Sequence, residues 1–480
     1  MADPQLRFTP PVLIQGGMGV GVSSIRLANA VARRGQLGVV SGTALDAVLV
    51  RRLQDGDPDE SIRGALAQFP VQGIVERTLA KYLRPGGRPA HEPYKNFPML
   101  THRSGDAAQD LCVLGGFVEV FLAKEGHDGL IGINLLTKLQ PPAIPTLYGA
   151  MLAGVDCVVM GAGIPRDIPG ILDALAAGRP CAFKLDAMGA DADHPAPMVA
   201  FTPDRFGVTA PLSRPAFFPI VASHSLATML SRKASGSIEG IIVEGPSAGG
   251  HNAPPRGTTT YDETGQPIYG ERDKVDYAAI RALGLPFWIA GGVGSPQAVV
   301  DAQALGAAGV QVGTLFAFCT ESGLASALRH LVIQRIRRGE ESVYTDARAS
   351  STGYPFKVVQ LDGTASTEEV YEQRERVCDL GYLREAYVNG DKGIAYRCSA
   401  EPVKTYEGRG GAIADTVGRK CLCNGLMSNI GLGQVRDGGV VEPPLLTSGD
   451  GLASIRSVLH EETDEYSANE VVDYLIGVRS

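Results

Sequence analysis

The apolar positions of this chain fall into short runs, each followed by a polar or glycine-rich turn and then by helical spacing. Short β-branched runs are typical of parallel strands that are buried on both faces. Strands that alternate with helices indicate a parallel α/β fold. The pattern predicts nine strands, at residues 12–15, 37–41, 130–134, 157–160, 181–185, 218–222, 240–243, 287–290 and 309–312.

Nine candidate strands are one more than a TIM barrel holds. The run at 181–185 opens a stretch rich in proline, which argues against continuous core elements, so we assign it to an insertion over about residues 181–216. A second insertion, about residues 57–127, is too long for an ordinary loop and includes a predicted helix at 107–124. The sequence therefore predicts a TIM (β/α)8 barrel over residues 1–340, with both insertions as lid-like pieces, and a C-terminal extension over residues 341–480.

Composition and charge narrow the class of protein. A chain of 480 residues can bury a large core. Its net charge of −8 argues against nucleic acid as a partner. No uninterrupted apolar run reaches the roughly 18 residues that a membrane-spanning helix needs, and the first residues lack the basic start of a secretory signal. We therefore expect no membrane partner and a cytoplasmic location.

The turn after the run at 240–243 joins a strand end, two glycines and a histidine. The C-terminal ends of barrel strands carry the loops that do chemistry. Gly249 and Gly250 let the backbone approach a flat ligand closely and leave the imidazole of His251 over it. This arrangement predicts His251 as the catalytic base; the alternative is that His251 only hydrogen-bonds within its own loop.

The last two predicted strands each end in glycine before a helical start. Free N–H groups at such starts favour an anion, and barrels commonly bind phosphate between the loops after their last two strands. The sequence therefore predicts a phosphate clamp made of Gly291, Gly292, Gly313 and the hydroxyl of Thr314.

Taken together, these motifs resemble a known family. The set comprises residues 15–18 after the first strand, Asn134 at the end of the third, the turn at 248–251 and the paired phosphate loops. Over roughly residues 10–335 the chain resembles the nitronate monooxygenases, formerly called 2-nitropropane dioxygenases, whose plan the flavin-dependent enoyl reductases share. The resemblance implies an FMN-binding TIM barrel with a small-molecule substrate. It also implies cofactor contacts from Gly16, Gly17, Met18, Asn134, Gly249 and Gly250.

The resemblance leaves three functions open. In the leading one, His251 takes the α-proton or positions the nitronate, FMN accepts electrons and oxygen reoxidises the flavin. In the second, NAD(P)H reduces FMN for the reduction of an enoyl thioester, which would add an acyl carrier protein as a partner. The third is a non-catalytic flavoprotein scaffold. A homo-oligomer also remains open.

The cysteines divide into two groups. Cys112, Cys157, Cys181 and Cys319 lie singly in apolar stretches, where we expect them to pack as small hydrophobic residues. The other group lies in the extension beside basic residues and consists of Cys378, Cys398, Cys421 and Cys423. Neighbouring cations lower a thiol pKa and offset the charge of a bound iron–sulfur cluster or zinc ion. The uneven spacing matches neither the usual zinc nor ferredoxin patterns, so free thiols are the third alternative.

Overall fold

A computed structural model describes residues 6–477, and its centre is a barrel of eight parallel strands. We number them β1 Leu13–Gln15, β2 Gly38–Ser41, β3 Ile131–Leu136, β4 Cys157–Gly161, β5 Ala216–Val221, β6 Ile241–Glu244, β7 Phe287–Ala290 and β8 Gly309–Val312. The hydrogen-bonded order is β1-β8-β7-β6-β5-β4-β3-β2. A parallel bridge from Ile14 to Leu37, just before β2, closes the ring. The predicted TIM barrel is confirmed, with its eight strands where the apolar runs placed them.

The strands are apolar along their length because both of their faces are buried. One set of side chains, including Val39, Val159 and Ile242, packs as a cluster inside the barrel. There the rings of Phe218 and Trp288 lie 4.8 Å apart. Alternate residues of the same strands join the larger cluster formed with the helices. This alternation follows from the two-residue period of a strand.

Helices surround the barrel and continue into the extension. Their bounds are Ile25–Arg33, Leu45–Gln54, Ser61–Ala67, Gln72–Tyr82, Asp106–Ala123, Gln140–Leu152, Ile168–Ala176, His224–Lys233, Tyr277–Arg281, Pro296–Ala304, Thr314–Ala317, Ser326–Arg338, Glu368–Gln373, Val403–Gly408, Leu422–Asn429 and Ala468–Ile476. The helix predicted at 107–124 is Asp106–Ala123, which packs on Gln140–Leu152 and on Leu45–Gln54. It therefore lies in the outer layer of the barrel, between β2 and β3. Within residues 6–477, no helix is both long and apolar enough to cross a membrane.

The ninth predicted strand lies outside the barrel. Cys181–Lys184 pairs antiparallel with Met198–Phe201 in a separate two-stranded sheet. The run is therefore not a strand of the barrel, as predicted, and the bounds of the insertion stay a prediction. The lid role of the two insertions stays a prediction.

The extension packs onto the barrel. Leu446, Ile455 and Val471 belong to the same hydrophobic cluster as the barrel helices. The extension contains two antiparallel pairs of strands, Val343–Asp346 with Phe356–Val359 and Glu385–Val388 with Ile394–Arg397. The second pair adds Ala187–Met188 of the insertion in parallel. The boundary at residue 340 stays a prediction, but the two parts share a core.

Candidate active site

A cavity of about 340 Å³ lies at the C-terminal ends of the barrel strands. Its lining includes every residue that the sequence analysis assigned to catalysis or to cofactor binding, namely Gly16, Gly17, Met18, Asn134, Gly249, Gly250, His251, Gly291, Gly292, Gly313 and Thr314. The fold thus brings together loops that follow β1, β6, β7 and β8 with Asn134 of β3. Their roles stay predictions, but their common location is observed.

The first loop is held tightly against Asn134. A Cβ atom on Gly17 would lie 2.2 Å from the Asn134 Cβ, so only glycine fits there. The Asn134 amide donates to the Gly17 carbonyl over 2.9 Å, and the Met18 N–H donates to the Ser23 hydroxyl over 2.9 Å. These contacts hold the backbone of residues 16–18 against the cavity, where the two glycines have no side chain to cover it.

Two buried acceptors in the lining lack a protein partner. Among the described residues, neither Asn134 Oδ1 nor Gln311 Oε1 has a hydrogen-bond partner. An unpaired buried oxygen is costly, so both atoms suit a ligand that carries N–H or O–H donors, as FMN does. Gln311 was missed by the sequence analysis because it lies inside an apolar strand, where its alternation with valines gave no signal.

Two glycines of the predicted phosphate clamp have a left-handed backbone conformation. Gly291 and Gly292 have φ angles of 90° and 71°, which glycine adopts without steric penalty. The Thr314 hydroxyl accepts a hydrogen bond from the N–H of Gly449, over 3.2 Å. The residues present therefore fit FMN, and the extension reaches the clamp.

His251 is fixed by the extension. Its Nε2 lies 2.7 Å from the Ser350 hydroxyl, and its ring packs edge-on against Phe356 at 4.9 Å. The preceding Gly250 donates its N–H to the Thr447 hydroxyl over 2.9 Å. Burial lowers the pKa of His251 to about 4, so the imidazole is neutral at neutral pH and can accept a proton.

Glu244, the last residue of β6, lines the same cavity. Burial raises the pKa of its carboxyl to about 8, so the group holds its proton at neutral pH. Carboxyl groups tuned in this way serve as general acids. Glu244 was not among the residues predicted from the sequence, although an acidic residue at the end of a barrel strand was the available signal.

The extension supplies a second wall of the cavity, which the sequence analysis did not foresee. It includes Tyr382, Leu422, Cys423, Leu446 and Ser448. The Tyr382 hydroxyl donates to Asp46 over 2.5 Å, and burial raises the pKa of Asp46 to about 6. No local motif marks these residues as cavity lining.

The four cysteines of the extension line one small cavity of their own. Burial raises the pKa of Cys378 to about 12 and that of Cys398 to about 11. The expectation that basic neighbours lower these thiol pKa values was therefore wrong, because desolvation outweighs the nearby cations. Within residues 6–477, no three His, Cys, Asp or Glu side chains are arranged to hold a single metal ion.

The other cysteines behave as small packing residues. Cys112, Cys157 and Cys319 are buried, and Cys181 is half-buried in the insertion. Burial raises the pKa of Cys181 to about 11. These thiols have no part in the cavity.

Comparison with known proteins agrees with the motifs. Residues 184–378 match the family described as nitronate monooxygenase. The matched segment contains the His251 turn and the phosphate clamp. No curated protein matches the chain significantly.

Solved structures of similar extent also align with the chain. FabK from Thermotoga maritima is 16% identical, with 98% of this chain and 93% of that chain covered and a TM-score of 0.47. A nitroalkane oxidase from Streptomyces ansochromogenes is 13% identical, with 98% and 95% covered and a TM-score of 0.49. The enoyl reductase domain of MlnA from Bacillus amyloliquefaciens is 10% identical, with 97% and 93% covered and a TM-score of 0.47.

Sequence identity and structural similarity to these proteins are both low, so the alignments do not indicate an activity for this chain. The family match carries the assignment instead. It confirms the resemblance that the motifs predicted and disfavours the non-catalytic scaffold. Residues 184–378 match the nitronate monooxygenase family, and the chain is an enzyme of the FMN-dependent oxidoreductase class.

Proposed function

We propose that this enzyme oxidises alkyl nitronates with molecular oxygen. The single observation that carries the proposal is the family match over residues 184–378, which includes His251. The apolar lining of the cavity suits a small alkyl substrate beside a flavin.

In this proposal the barrel loops hold FMN. Gly291, Gly292, Gly313 and Thr314 bind its phosphate, while Asn134 and Gln311 accept hydrogen bonds from its polar edges. Bound FMN supplies two-electron chemistry, either from a nitronate to oxygen or from NAD(P)H to an alkene. The clamp fixes one end of the cofactor, which leaves the His251 side of the cavity for the substrate.

His251 acts on the substrate. Because its imidazole is neutral, it can hydrogen-bond an anionic nitronate or take the α-proton of the parent nitroalkane. Ser350 orients the ring through Nε2. The extension lines this side of the cavity, where Phe356 packs against the His251 ring.

Glu244 favours a second candidate, the reduction of an enoyl thioester. That reaction adds a hydride and a proton across a carbon–carbon double bond, so it needs a proton donor. A carboxyl with a pKa of about 8 holds such a proton at neutral pH. Oxidation of a nitronate needs no donor of this kind. In this second case NAD(P)H is the reductant and an acyl carrier protein can present the substrate.

Two assays on the FMN-loaded full chain separate the candidates. With an alkyl nitronate in air and no nicotinamide, we expect saturable oxygen consumption. With NAD(P)H and an enoyl thioester under nitrogen, we expect no turnover. Turnover only in the second assay would replace nitronate oxidation by enoyl reduction, and protein that neither contains nor takes up FMN would overturn both.

A further inference from the structure

The small cavity in the extension gathers cysteines that are far apart in sequence. Cys378 lies in the loop after Glu368–Gln373, and Cys398 directly follows the strand Ile394–Arg397. Cys421 and Cys423 lie at the start of the helix Leu422–Asn429. All four side chains line the cavity, and all four thiols are free. The fold therefore brings every cysteine of the extension to one place.

Hydrogen-bond donors point at the sulfur atoms. Backbone N–H groups of Ala400, Asn424 and Leu383 lie close to the sulfurs of Cys398, Cys421 and Cys423, respectively. The Asn424 side-chain amide lies 3.5 Å from the Cys421 sulfur. The Ser351 hydroxyl, which donates to the Leu383 carbonyl, lines the same small cavity as Cys398. Neutral thiols are weak acceptors, whereas cluster-bound thiolates are tuned by hydrogen bonds to sulfur.

An ion pair and a hydrogen bond connect the segments that carry the cysteines. Arg436 bonds to Asp379 over 2.7 Å, next to Cys378. Asp379 also accepts from the Asn424 side chain over 2.7 Å, beside Cys423. The loop that carries Cys378 is thus tied to the helix start that carries Cys421 and Cys423. Such outer contacts orient metal ligands.

A single tetrahedral ion would draw its four sulfurs to within about 3.8 Å of one another, given a metal–sulfur distance of about 2.3 Å. Among the described residues no side chains are arranged in that way. An iron–sulfur cluster spaces its thiolates more widely around a core of iron and sulfide, and four cysteines complete its ligands. We propose that Cys378, Cys398, Cys421 and Cys423 ligate an iron–sulfur cluster.

The site adjoins the main cavity. Cys423, Leu383 and Leu422 line both cavities, so a cluster here would share a wall with the flavin site. Arg384 and Arg374 lie close enough to Cys378 and Cys421, respectively, to offset negative charge. The proposal does not depend on which substrate the flavin site takes.

The full chain, purified under nitrogen, tests the site. We expect iron and acid-labile sulfide in equal amounts, with broad visible absorbance beyond the flavin bands. A Cys421→Ser or Cys398→Ser variant should lose most of the iron and sulfide. Cys181→Ser, which changes a cysteine outside the cavity, should keep both at the wild-type level.

The wild-type protein alone can decide the question if a variant fails to fold. Dithionite reduction should give an electron paramagnetic resonance signal of a reduced cluster, at about one spin per chain or less. Zinc without sulfide would overturn the proposal. So would protein without iron and sulfide after anaerobic incubation with ferrous iron, sulfide and thiol.

Discussion

The two walls of the main cavity are built differently. The barrel wall consists largely of glycine-rich backbone at the ends of β1, β6, β7 and β8, whereas the extension wall presents side chains such as Tyr382, Leu422 and Ser448. Backbone N–H groups recognise a phosphate or a flat ring in the same way for many substrates. Side chains set shape and polarity. We infer that the barrel wall holds the cofactor and that the extension wall selects the substrate.

The extension also supports the barrel wall. Lys357 donates its N–H to the Gly250 carbonyl over 3.0 Å, and Asp450 donates its N–H to the Ser247 carbonyl over 3.0 Å. Both bonds hold the loop that carries His251. The two walls are therefore coupled at the His251 loop, and substitutions can show how strongly.

The largest effect is expected at His251. His251→Ala should lower turnover by about 10²–10⁴-fold, the usual contribution of a general acid or base. Bound FMN should stay near the wild-type level, because the clamp is on other strands. Steady-state kinetics and flavin content after denaturation measure both.

The matched control is His91→Ala, since His91 is exposed and lies outside the cavity. It should leave turnover unchanged. Wild-type turnover in His251→Ala would remove this residue from the proposed chemistry.

The residues of the barrel wall could be predicted from the sequence because the motifs that mark them are short and continuous. Gly249, Gly250 and His251 follow an apolar run directly, and strand ends meet at one mouth in a parallel barrel. The extension wall gave no such signal: Tyr382 and Cys423 reach the cavity only through the tertiary packing of the extension. The prediction of lowered pKa values for the extension cysteines was wrong for a related reason. Burial raises these pKa values, and burial depends on tertiary packing that the flanking residues do not reveal.

The second expected effect tests the barrel wall at Gly17. A methyl group in Gly17→Ala would meet the Asn134 side chain at 2.2 Å, so the loop must shift. Overpacking costs about 1–3 kcal/mol, which corresponds to weaker FMN binding by about 5–150-fold. Titration of the apoprotein with FMN, followed by flavin fluorescence, measures the change.

Gly64→Ala is the control, because a Cβ at Gly64 meets no atom within 4 Å and the residue lies in the helix Ser61–Ala67. It should bind FMN as the wild type does. Equal affinity of Gly17→Ala and wild type would argue against a flavin beside this loop.

The third prediction concerns Glu244 and the choice between the candidate reactions. If the carboxyl donates a proton to an enoyl substrate, activity should fall as pH rises through about 8. Glu244→Gln should turn over at least about 10-fold more slowly, without that inflection. A wild-type inflection near pH 8 that survives in Glu244→Gln would assign it to another group.

Glu244 should also affect the stability of the apoprotein. Its pKa is raised in the folded state, from an ordinary value of 4.5, so the folded protein holds a proton that the unfolded chain has released. The stabilising contribution is complete below pH 4.5 and is lost as pH rises through about 8. Urea unfolding across this range should show a smaller decline in Glu244→Gln.

The smallest effect is expected at Ser350, the link between the two walls. Ser350→Ala removes the hydrogen bond to His251 Nε2. A neutral hydrogen bond contributes about 0.5–1.5 kcal/mol, so kcat should fall by about 2–10-fold while KM changes little.

Ser350→Thr restores the hydroxyl and should recover most of the activity, whereas Ser231→Ala, on an exposed helix face, should have no effect. If Ser350→Ala instead raised KM at constant kcat, Ser350 would bind substrate and would not position His251.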